Sequence, residues 1–599
     1  MPDPDADHCS PEAIRAEMDE PPALETLAET FALSPFERAL VLLCAGVELD
    51  GRFAEAWGRP TLGVALASLP DPHWSALAPA APLRRWRMLE LGGGPLTSAS
   101  LKLDERILHY LTGVQYLDER LDGIVGAPVE AAELPGSHEL VAAAVVEAWS
   151  RDDMGSAAIA LLGSDPAAKL AVAAAACHRF GIVLRVVEAA AIPAAPAEQE
   201  GLRRLWSREA MLEGAALFVD CEAADSEREQ AAARFVEDLR VPVITAGATP
   251  LRGLRRPVVR LTLAKPTPSE QRALWERVAG PELNGTLDGL IAQFDLGTRA
   301  ILAAQIQAAA GEGNAGVRLW EACRVQARPA LDDLAERIEP VAGWDDLVLP
   351  DAQSELLHTI VAHVRHRGEV YDAWGFRDTG GRGLGISALF AGVSGTGKTM
   401  AAEVLARDLR LDLYRIDLSQ VVSKYIGETE KNLRRVFAAA EESATILLFD
   451  EADALFGKRT EIRDSHDRYA NIEVSYLLQR MEAYRGLAIL TTNLRNALDQ
   501  AFLRRLRFVV EFPFPGAAQR QEIWRRVFPA RTPVGALDPE RLAQLNVAGG
   551  TVRNIALNAA FLAAEARERV GMSHVLRAAR SEYAKLEKPL TGAETGGWS

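Results

Sequence analysis

Apolar and polar positions along the chain follow two different periods. Residues 31–49 carry an apolar stripe at helical spacing behind Ser34 and Pro35, a capped start that predicts a helix there. Residues 82–113 read as a helix, a turn at Gly92, Gly93 and Gly94, an alternating stretch and a second helix. From about residue 138 short apolar runs alternate with Ala-rich helical stretches: AAIALLGS (157–164), GIVLRVVE (181–188), AALFVDCE (215–222) and VPVITAGA (241–248). Such runs predict buried strands of a parallel sheet with helices on both faces. The stretch 189–200 reads as a loop. The same pattern returns from about 386 in ISALFAGVSG, LDLYRIDL, ATILLFDEAD, LAILTTN and RFVVEFPF.

Segments of the second set resemble segments of the first. LLGSDPAAKLAVAAAAC (161–177) lies over LFAGVSGTGKTMAAEVLA, EGLRRLW (200–206) over EKNLRRVF, and PTPSEQRALW over PFPGAAQRQEIW. Lys169 precedes Asp220 by 51 residues, and Lys398 precedes Asp450 by 52. Two tandem modules of common ancestry account for this; the alternative is that any two α/β domains share the rhythm. The expected architecture is α/β, with an N-terminal helical, winged-helix-like region over 1–135, a first module over 136–335, a linker over 336–380, a large subdomain over 381–515 and a helical lid over 516–599. Winged helices bind DNA or serve as docking units. Glu90, Asp104 and Glu105 dilute the basic residues here, which favours docking.

Composition narrows the function classes. A chain of 599 residues exceeds one core, and about 150 residues per domain predicts about four domains. With 48% hydrophobic and 25% charged residues it is ordinary globular sequence, neither disordered nor fibrous. The net charge of −17 repels phosphate backbones and anionic membranes, so neither nucleic acid nor a membrane is an expected partner. Cys9, Cys44, Cys177, Cys221 and Cys323 form no CxxC pair, which fits neither a disulfide framework nor a zinc site; buried thiols in a reducing compartment are expected. Residues 1–20 are acidic and Pro-rich, and no run approaches about 18 apolar residues, so a cytoplasmic protein is expected.

The chemistry concentrates in the second set of runs. Gly392, Ser394, Gly395, Thr396, Gly397, Lys398 and Thr399 belong to GVSGTGKT, which fits GxxxxGK[ST] between an apolar strand and the helix TMAAEVLARDL. Glycines let the loop curl its N–H groups toward phosphate, and the helix presents its positive end to the anion. Lys398 is expected on the β- and γ-phosphates and Thr399 on Mg2+. ILLFDE (446–451) ends in two carboxylates: Asp450 is placed for the Mg2+ shell and Glu451 to deprotonate the attacking water, which marks a hydrolase rather than a kinase. ATP and Mg2+ are the expected cofactors.

With LTTN (490–493) and AFLRRLRF (501–508), residues 340–590 resemble the classical AAA clade that includes katanin and FtsH. The resemblance implies that Asn493 contacts the γ-phosphate and the lytic water. It also implies that Arg504 and Arg507 are arginine fingers that reach a neighbouring subunit's site, hence a ring, read as a homo-hexamer. SKYIGE (423–428) is similar to the clade's first pore loop, where Lys424, Tyr425 and Ile426 would grip an extended protein substrate. The alternative is that Tyr425 anchors the following helix, whose Leu433, Val436, Phe437 and Ala440 form a core stripe. Gly549, Gly550 and Thr551 stand where the clade has Gly-Ala-Asp, so Arg553 either acts as a second sensor on the phosphates or only packs. Segments such as FERALVLLCAGVELD and DALFGKRTEIRDSHDRYANIEVSYLLQRME look like the AAA ATPases that accompany bacterial contractile injection systems, which implies assembling, loading or recycling of such a particle.

By the same comparison the first module is degenerate. Its loop reads GSDPAAKL: Ala168 replaces a glycine, Leu170 removes the Mg2+-binding hydroxyl, and Asp165 and Pro166 place a negative charge and a missing N–H at the cradle. Cys221 replaces the catalytic Glu, Gly247 replaces the sensor Asn, and strand alternation sends Glu222 to the opposite face. Negligible hydrolysis is expected there. The expected function is a ring ATPase that remodels, unfolds or disassembles a protein substrate. The alternative is a nucleic-acid-directed, clamp-loader or helicase-like ATPase using the winged-helix-like region. His138 and Glu139 lack a second His four residues on, which excludes an HExxH zinc protease.

Overall fold

A computed structural model describes residues 21–151, 157–279, 284–310, 312–328, 335–376, 385–418, 428–441, 445–454, 475–493 and 503–596. They fall into two compact units that divide between Glu270 and Gln271.

In the first unit Ser34 caps the helix Pro35–Leu49 by accepting the Glu37 N–H, and the Glu37 carboxylate accepts the Ser34 N–H at 2.8 Å. This reciprocal pair satisfies two N–H groups that a helix start leaves open. The buried face, Phe36, Leu40, Leu43 and Cys44, joins Leu27, Leu83, Met88 and Ile107 in one core. Residues 82–113 fold as the helix Pro82–Arg85, strands β1 (Leu89–Leu91) and β2 (Leu101–Leu103), and the helix Glu105–Leu111. β1 and β2 pair antiparallel with Leu89 opposite Leu103. The sequence pattern carries the first helix up to the glycine turn and misses β1, whose three residues directly follow the short helix Pro82–Arg85 and residues 86–88.

The parallel sheet that follows holds β3 (Ala158–Leu162), β4 (Val183–Glu188), β5 (Ala215–Asp220), β6 (Val243–Gly247) and β7 (Val258–Thr262), in the order β4-β5-β6-β3-β7. The expected loop 189–200 is shorter than its composition suggested. Pro196 opens the helix Pro196–Glu213, because at the first helical position its missing N–H leaves no hydrogen bond unmade.

A buried ionic network ties that helix to the N-terminal elements. Arg208, wholly buried, donates to Asp104 at 3.1 Å, to the Arg87 carbonyl at 3.0 Å and to Asp118. Next to it Arg106 donates to Glu209 at 2.9 Å, and Arg120 bridges Asp104 and Asp118 at 2.7 and 2.6 Å. Burial pushes the Asp118 carboxyl up, but Arg120 and Arg208 outweigh it and hold the group below its ordinary range; Glu209, for which burial dominates, is raised. His138 is buried and bonded to the Ala264 carbonyl at 2.9 Å, a packing role. Cys44, Cys177, Cys221 and Cys323 are free buried thiols, each pushed up to about 12 by burial, and Cys9 lies outside the described residues.

In the second unit β8 (Glu336–Ile338), β9 (Ile386–Ala391), β10 (Leu413–Asp417), β11 (Ile446–Asp450), β12 (Leu487–Thr492) and β13 (Phe508–Glu511) run in the order β13-β9-β12-β11-β10-β8. All neighbours are parallel except β8, which pairs antiparallel with β10. Taken from β10 to β13, the order β10-β11-β12-β9-β13 matches β4-β5-β6-β3-β7 strand for strand. β9 and β12 are buried throughout, as strands covered on both faces must be.

The helices Pro268–Ala279, Asn284–Gln293, Thr298–Ala309 and Ala315–Gln326 do not close on the first sheet's core. Trp275, Leu290, Phe294, Leu319 and Cys323 share a core with Ile386, Phe390, Leu405 and Leu413 and with Leu357 and Ile360 of the helix Asp351–Arg365. Polar contacts lock the seam. Buried Asp412 meets Arg328 at 3.1 Å, Arg324 at 3.6 Å and Arg337 at 3.7 Å, and Trp320 Nε1 donates to the Arg410 carbonyl at 3.0 Å. The C-terminal helices Ala517–Arg526, Gly549–Ala566 and Met572–Lys585 form a separate small core around Trp524, Leu545, Ile555 and Tyr583. Among the described residues no helix is long and apolar enough to cross a membrane.

Arg208→Ala would leave Asp104 and Asp118 buried without their central cation. A loss of about 3–5 kcal/mol is expected, read as a lower urea midpoint for the first unit. An unchanged midpoint would show that the network contributes nothing.

Candidate functional site

The carboxyl ends of β9, β11 and β12 arrive at one level, because Thr492 pairs with Ala391 and Leu490 with Phe449. Open parallel sheets bind ligands at such ends, where the strand order switches. The loop after β9 turns at Gly392, where an added Cβ would lie 2.3 Å from the Phe512 carbonyl, so only glycine fits. Gly395 and Gly397 take φ of +80° and +101°, and Ser394 is exposed at the tip. Thr396 Oγ1 donates to the Val393 carbonyl at 2.9 Å, which pins the curl.

The helix Lys398–Leu409 starts from Gly397 with no side-chain cap, so its N-terminal N–H groups and positive dipole face the loop interior. Thr399 is its second residue. Lys398 Nζ donates to the Gly392 carbonyl at 2.6 Å, the Val393 carbonyl at 3.2 Å and Asn493 Oδ1 at 2.9 Å. Burial lowers its pKa, while Asp450 and Asp453 oppose that shift.

Asp450 ends β11. It accepts the Thr491 hydroxyl at 2.5 Å and Arg415 Nε at 3.0 Å. Glu451 follows at φ +56°, exposed, its N–H held by Asp450 Oδ1 at 3.2 Å and Thr491 Oγ1 at 3.3 Å. A left-handed φ at a non-glycine residue is uncommon. Here it turns the chain out of the strand directly after Asp450.

Three contributors were not read from the sequence. Asp453, on the short turn Ala452–Ala454, accepts the Asn493 N–H at 3.1 Å, its Nδ2 at 2.9 Å and the Thr492 hydroxyl. With the acceptor Asp453 on one side and the donor Lys398 on the other, the amide of Asn493 has one orientation, Nδ2 to the carboxylate and Oδ1 to the ammonium. A tight turn eclipses residues three apart, so the acid three places after Asp450 was the available signal. Arg415 was visible as the one basic residue in LDLYRIDL, an unusual inclusion in a buried strand. Tyr371 left no signal.

Arg504 and Arg507 lie in the turn that leads into β13, both exposed. The Arg507 backbone is fixed by Ser387, and its guanidinium donates to the Tyr371 hydroxyl, 5.8 Å above that ring, rather than to the loop of its own chain. Arg553 is exposed one turn into the helix Gly549–Ala566. The start of that helix touches the loop: Gly550 N–H donates to the Gly395 carbonyl at 2.8 Å. An alanine Cβ at position 550 would sit 3.1 Å from Gly395 Cα, a physical reason for glycine there. Lys424, Tyr425 and Ile426 lie outside the described residues, whereas Leu433, Val436, Phe437 and Ala440 are buried as the stripe predicts.

The residues present fit a nucleotide with its cation. Val348, Leu349, Pro513, Pro515 and Ile523 line a small apolar cleft that reaches Thr396 and Gly549 beside the loop. Among the described residues no three His, Cys, Asp or Glu gather as a metal cage. Mg2+ uses few protein ligands and completes its shell with phosphate and water, which suits Thr399 with Asp450. In the first unit Glu222 differs from expectation: it lies past the end of β5, where strand alternation no longer applies, and its carboxylate meets Lys169.

Three family models match the chain. ATPase family associated with various cellular activities (AAA) covers residues 388–515, contractile injection system ATPase helical domain covers 267–329, and winged helix domain, variant, covers 10–64 and 73–125. Among curated proteins, the chain is 35% identical over 216 residues to the uncharacterized AAA family ATPase y4kL of Sinorhizobium fredii, covering 35% of this chain and 62% of the relative. It is 33% identical to the 26S proteasome subunit RPT4 of Saccharomyces cerevisiae, covering 33% and 48%. To the proteasome-activating nucleotidase of Methanococcus vannielii it is 32% identical, covering 34% and 52%. The chain thus spans about half the length of the curated relatives it matches.

Asp453→Ala removes the acceptor that orients Asn493. If Asn493 orders the reacting water, turnover of ATP falls about 100-fold, as small misplacements of catalytic groups do, while KM stays within about threefold. Unchanged kcat in steady-state ATPase assays would show that the amide needs no such support.

Proposed function

We propose that this chain, which carries an AAA ATPase domain together with a contractile injection system ATPase helical domain and a winged helix domain, hydrolyses ATP and uses the cycle to remodel, unfold or disassemble a protein substrate. The observation that carries the reading is the convergence of an uncapped helix start, the Lys398 ammonium, Asp450 and Glu451 on one sheet edge. Helix N–H groups and Lys398 bind the phosphates; Thr399 and Asp450 would hold Mg2+, which would supply charge neutralisation at the β- and γ-phosphates. Glu451 takes the proton of the attacking water, and Asn493, presenting Oδ1, orders that water.

Arg504 and Arg507 act in trans. The engagement of Arg507 with Tyr371, away from its own loop, supports that direction, and with it a homo-hexameric ring. Tyr425 grips the substrate in the pore, and Arg553, on the helix that touches Gly395, senses the phosphates from the lid. The first sheet shares the strand order of the second and is read as a degenerate tandem module without hydrolysis. The helical domain match supports a contractile, phage-tail-like particle as the setting, and the acidic, Pro-rich residues 1–20 support reading the protein as cytoplasmic. A nucleic-acid-directed role through the winged helix domain is the second reading, favoured by that match and opposed by the net charge of −17.

Glu451→Gln keeps ATP binding and lowers turnover by about 10²–10⁴-fold, while Lys398→Ala loses nucleotide affinity itself. Mixing Glu451→Gln with Arg507→Ala subunits regenerates intact sites at some boundaries, so measurable ATPase returns if the finger works in trans. Mixed rings as inactive as either parent would refute it.

Tyr425→Ala uncouples the cycle: ATPase persists within about twofold, while unfolding of a tagged substrate is lost, because the loop meets substrate rather than nucleotide. Normal unfolding by this variant would make Tyr425 a packing residue.

A further inference from the structure

The first unit repeats the phosphate loop's geometry with its charges already satisfied. Lys169 Nζ donates to the Gly163 carbonyl at 2.6 Å, as Lys398 Nζ does to the Gly392 carbonyl at 2.6 Å. A Cβ at Gly163 would lie 2.2 Å from the Leu263 carbonyl, and one at Gly392 lies 2.3 Å from that of Phe512, so both loops turn under the same constraint after equivalent strands.

The difference lies in what faces the two anion-binding groups. The helix Lys398–Leu409 begins uncapped, but the helix Pro166–Phe180 is capped by Asp165, whose Oδ1 accepts the Ala168 N–H at 3.0 Å. Lys398 reaches the neutral Asn493 amide. Lys169, wholly buried, pairs instead with the Glu222 carboxylate and the Gly247 carbonyl at 3.3 Å. A buried ammonium needs a counter-ion, and a helix start favours a negative charge. Each demand that a phosphate group would meet is met by a carboxylate of the chain.

We propose that the loop Gly163–Lys169 is a self-liganded anion site: Asp165 and Glu222 stand where phosphate oxygens would, and removing their charges opens it to a polyphosphate anion. The proposal rests on the reading of the first sheet as a degenerate nucleotide module. Because these anions are covalently attached, the site never empties, and the module keeps one conformation while the second site cycles.

The test uses the full chain in a Lys398→Ala background, which silences the second site, with inorganic pyrophosphate as probe and thermal melting as readout. Asp165→Ser with Glu222→Gln keeps a capping hydroxyl and the side-chain shape but removes both charges. This variant is expected to melt below its parent and to recover roughly 2–4 °C in millimolar pyrophosphate, the response disappearing on addition of Lys169→Met. The parent should not respond. Destabilisation without a pyrophosphate response overturns the proposal and leaves the degenerate-module reading standing. A parent that responds through Lys169 overturns both. Should the charge-free variant not fold, the cycle of Lys169→Met and Glu222→Gln decides: the pair of substitutions melting within about 2 °C of the parent, with each alone well below it, supports the ion pair as internal ligand. Purely additive losses overturn it.

Discussion

Parallel pairing of β9, β11 and β12 in register brings Gly392, Asp450 and Asn493 to one edge, and the Lys398 ammonium ties that edge together. No two of these groups are neighbours in the chain, so a one-residue slip of any strand would separate them and exchange the side chains packed on its two covered faces. The apolar side chains of β9 and β12 oppose such a slip. The core therefore maintains the site as well as the fold.

The two sheets show how little of a shared fold determines chemistry. Strand order, the glycine pressed against a carbonyl and the lysine bonded to the loop's first carbonyl are common to both. What changes is whether the positive groups face a neutral amide and open helix N–H groups or two carboxylates. A fold supplies a place where anions are favourable, and only the local charges decide whether a ligand or the chain itself occupies it.

The helical bundle between Gln271 and Gln326 belongs to the second unit. Its apolar residues share the second sheet's core, and Asp412, at the start of β10, is held by arginines from the bundle and from β8. β10 also carries Arg415, which lies opposite Glu336 of β8 and bonds Asp450. A continuous set of contacts therefore runs from the bundle to Asp450.

Local pattern made much of this protein legible in sequence. The Ser34 cap, the apolar strand runs and the GVSGTGKT loop between strand and helix all rest on residues close together in the chain, where period, capping and turn chemistry leave a readable trace. The strand-end acids Asp450 and Glu451 were legible for the same reason. Asp453 on Asn493, Arg415 on Asp450, Tyr371 under Arg507 and Glu222 on Lys169 were not, since each joins residues far apart, or past a strand end, where alternation no longer holds. The sharing of one core by the bundle and the second sheet belongs with them. Amphipathic helices announce that they have a buried face, but which sheet covers that face is decided only by packing in three dimensions.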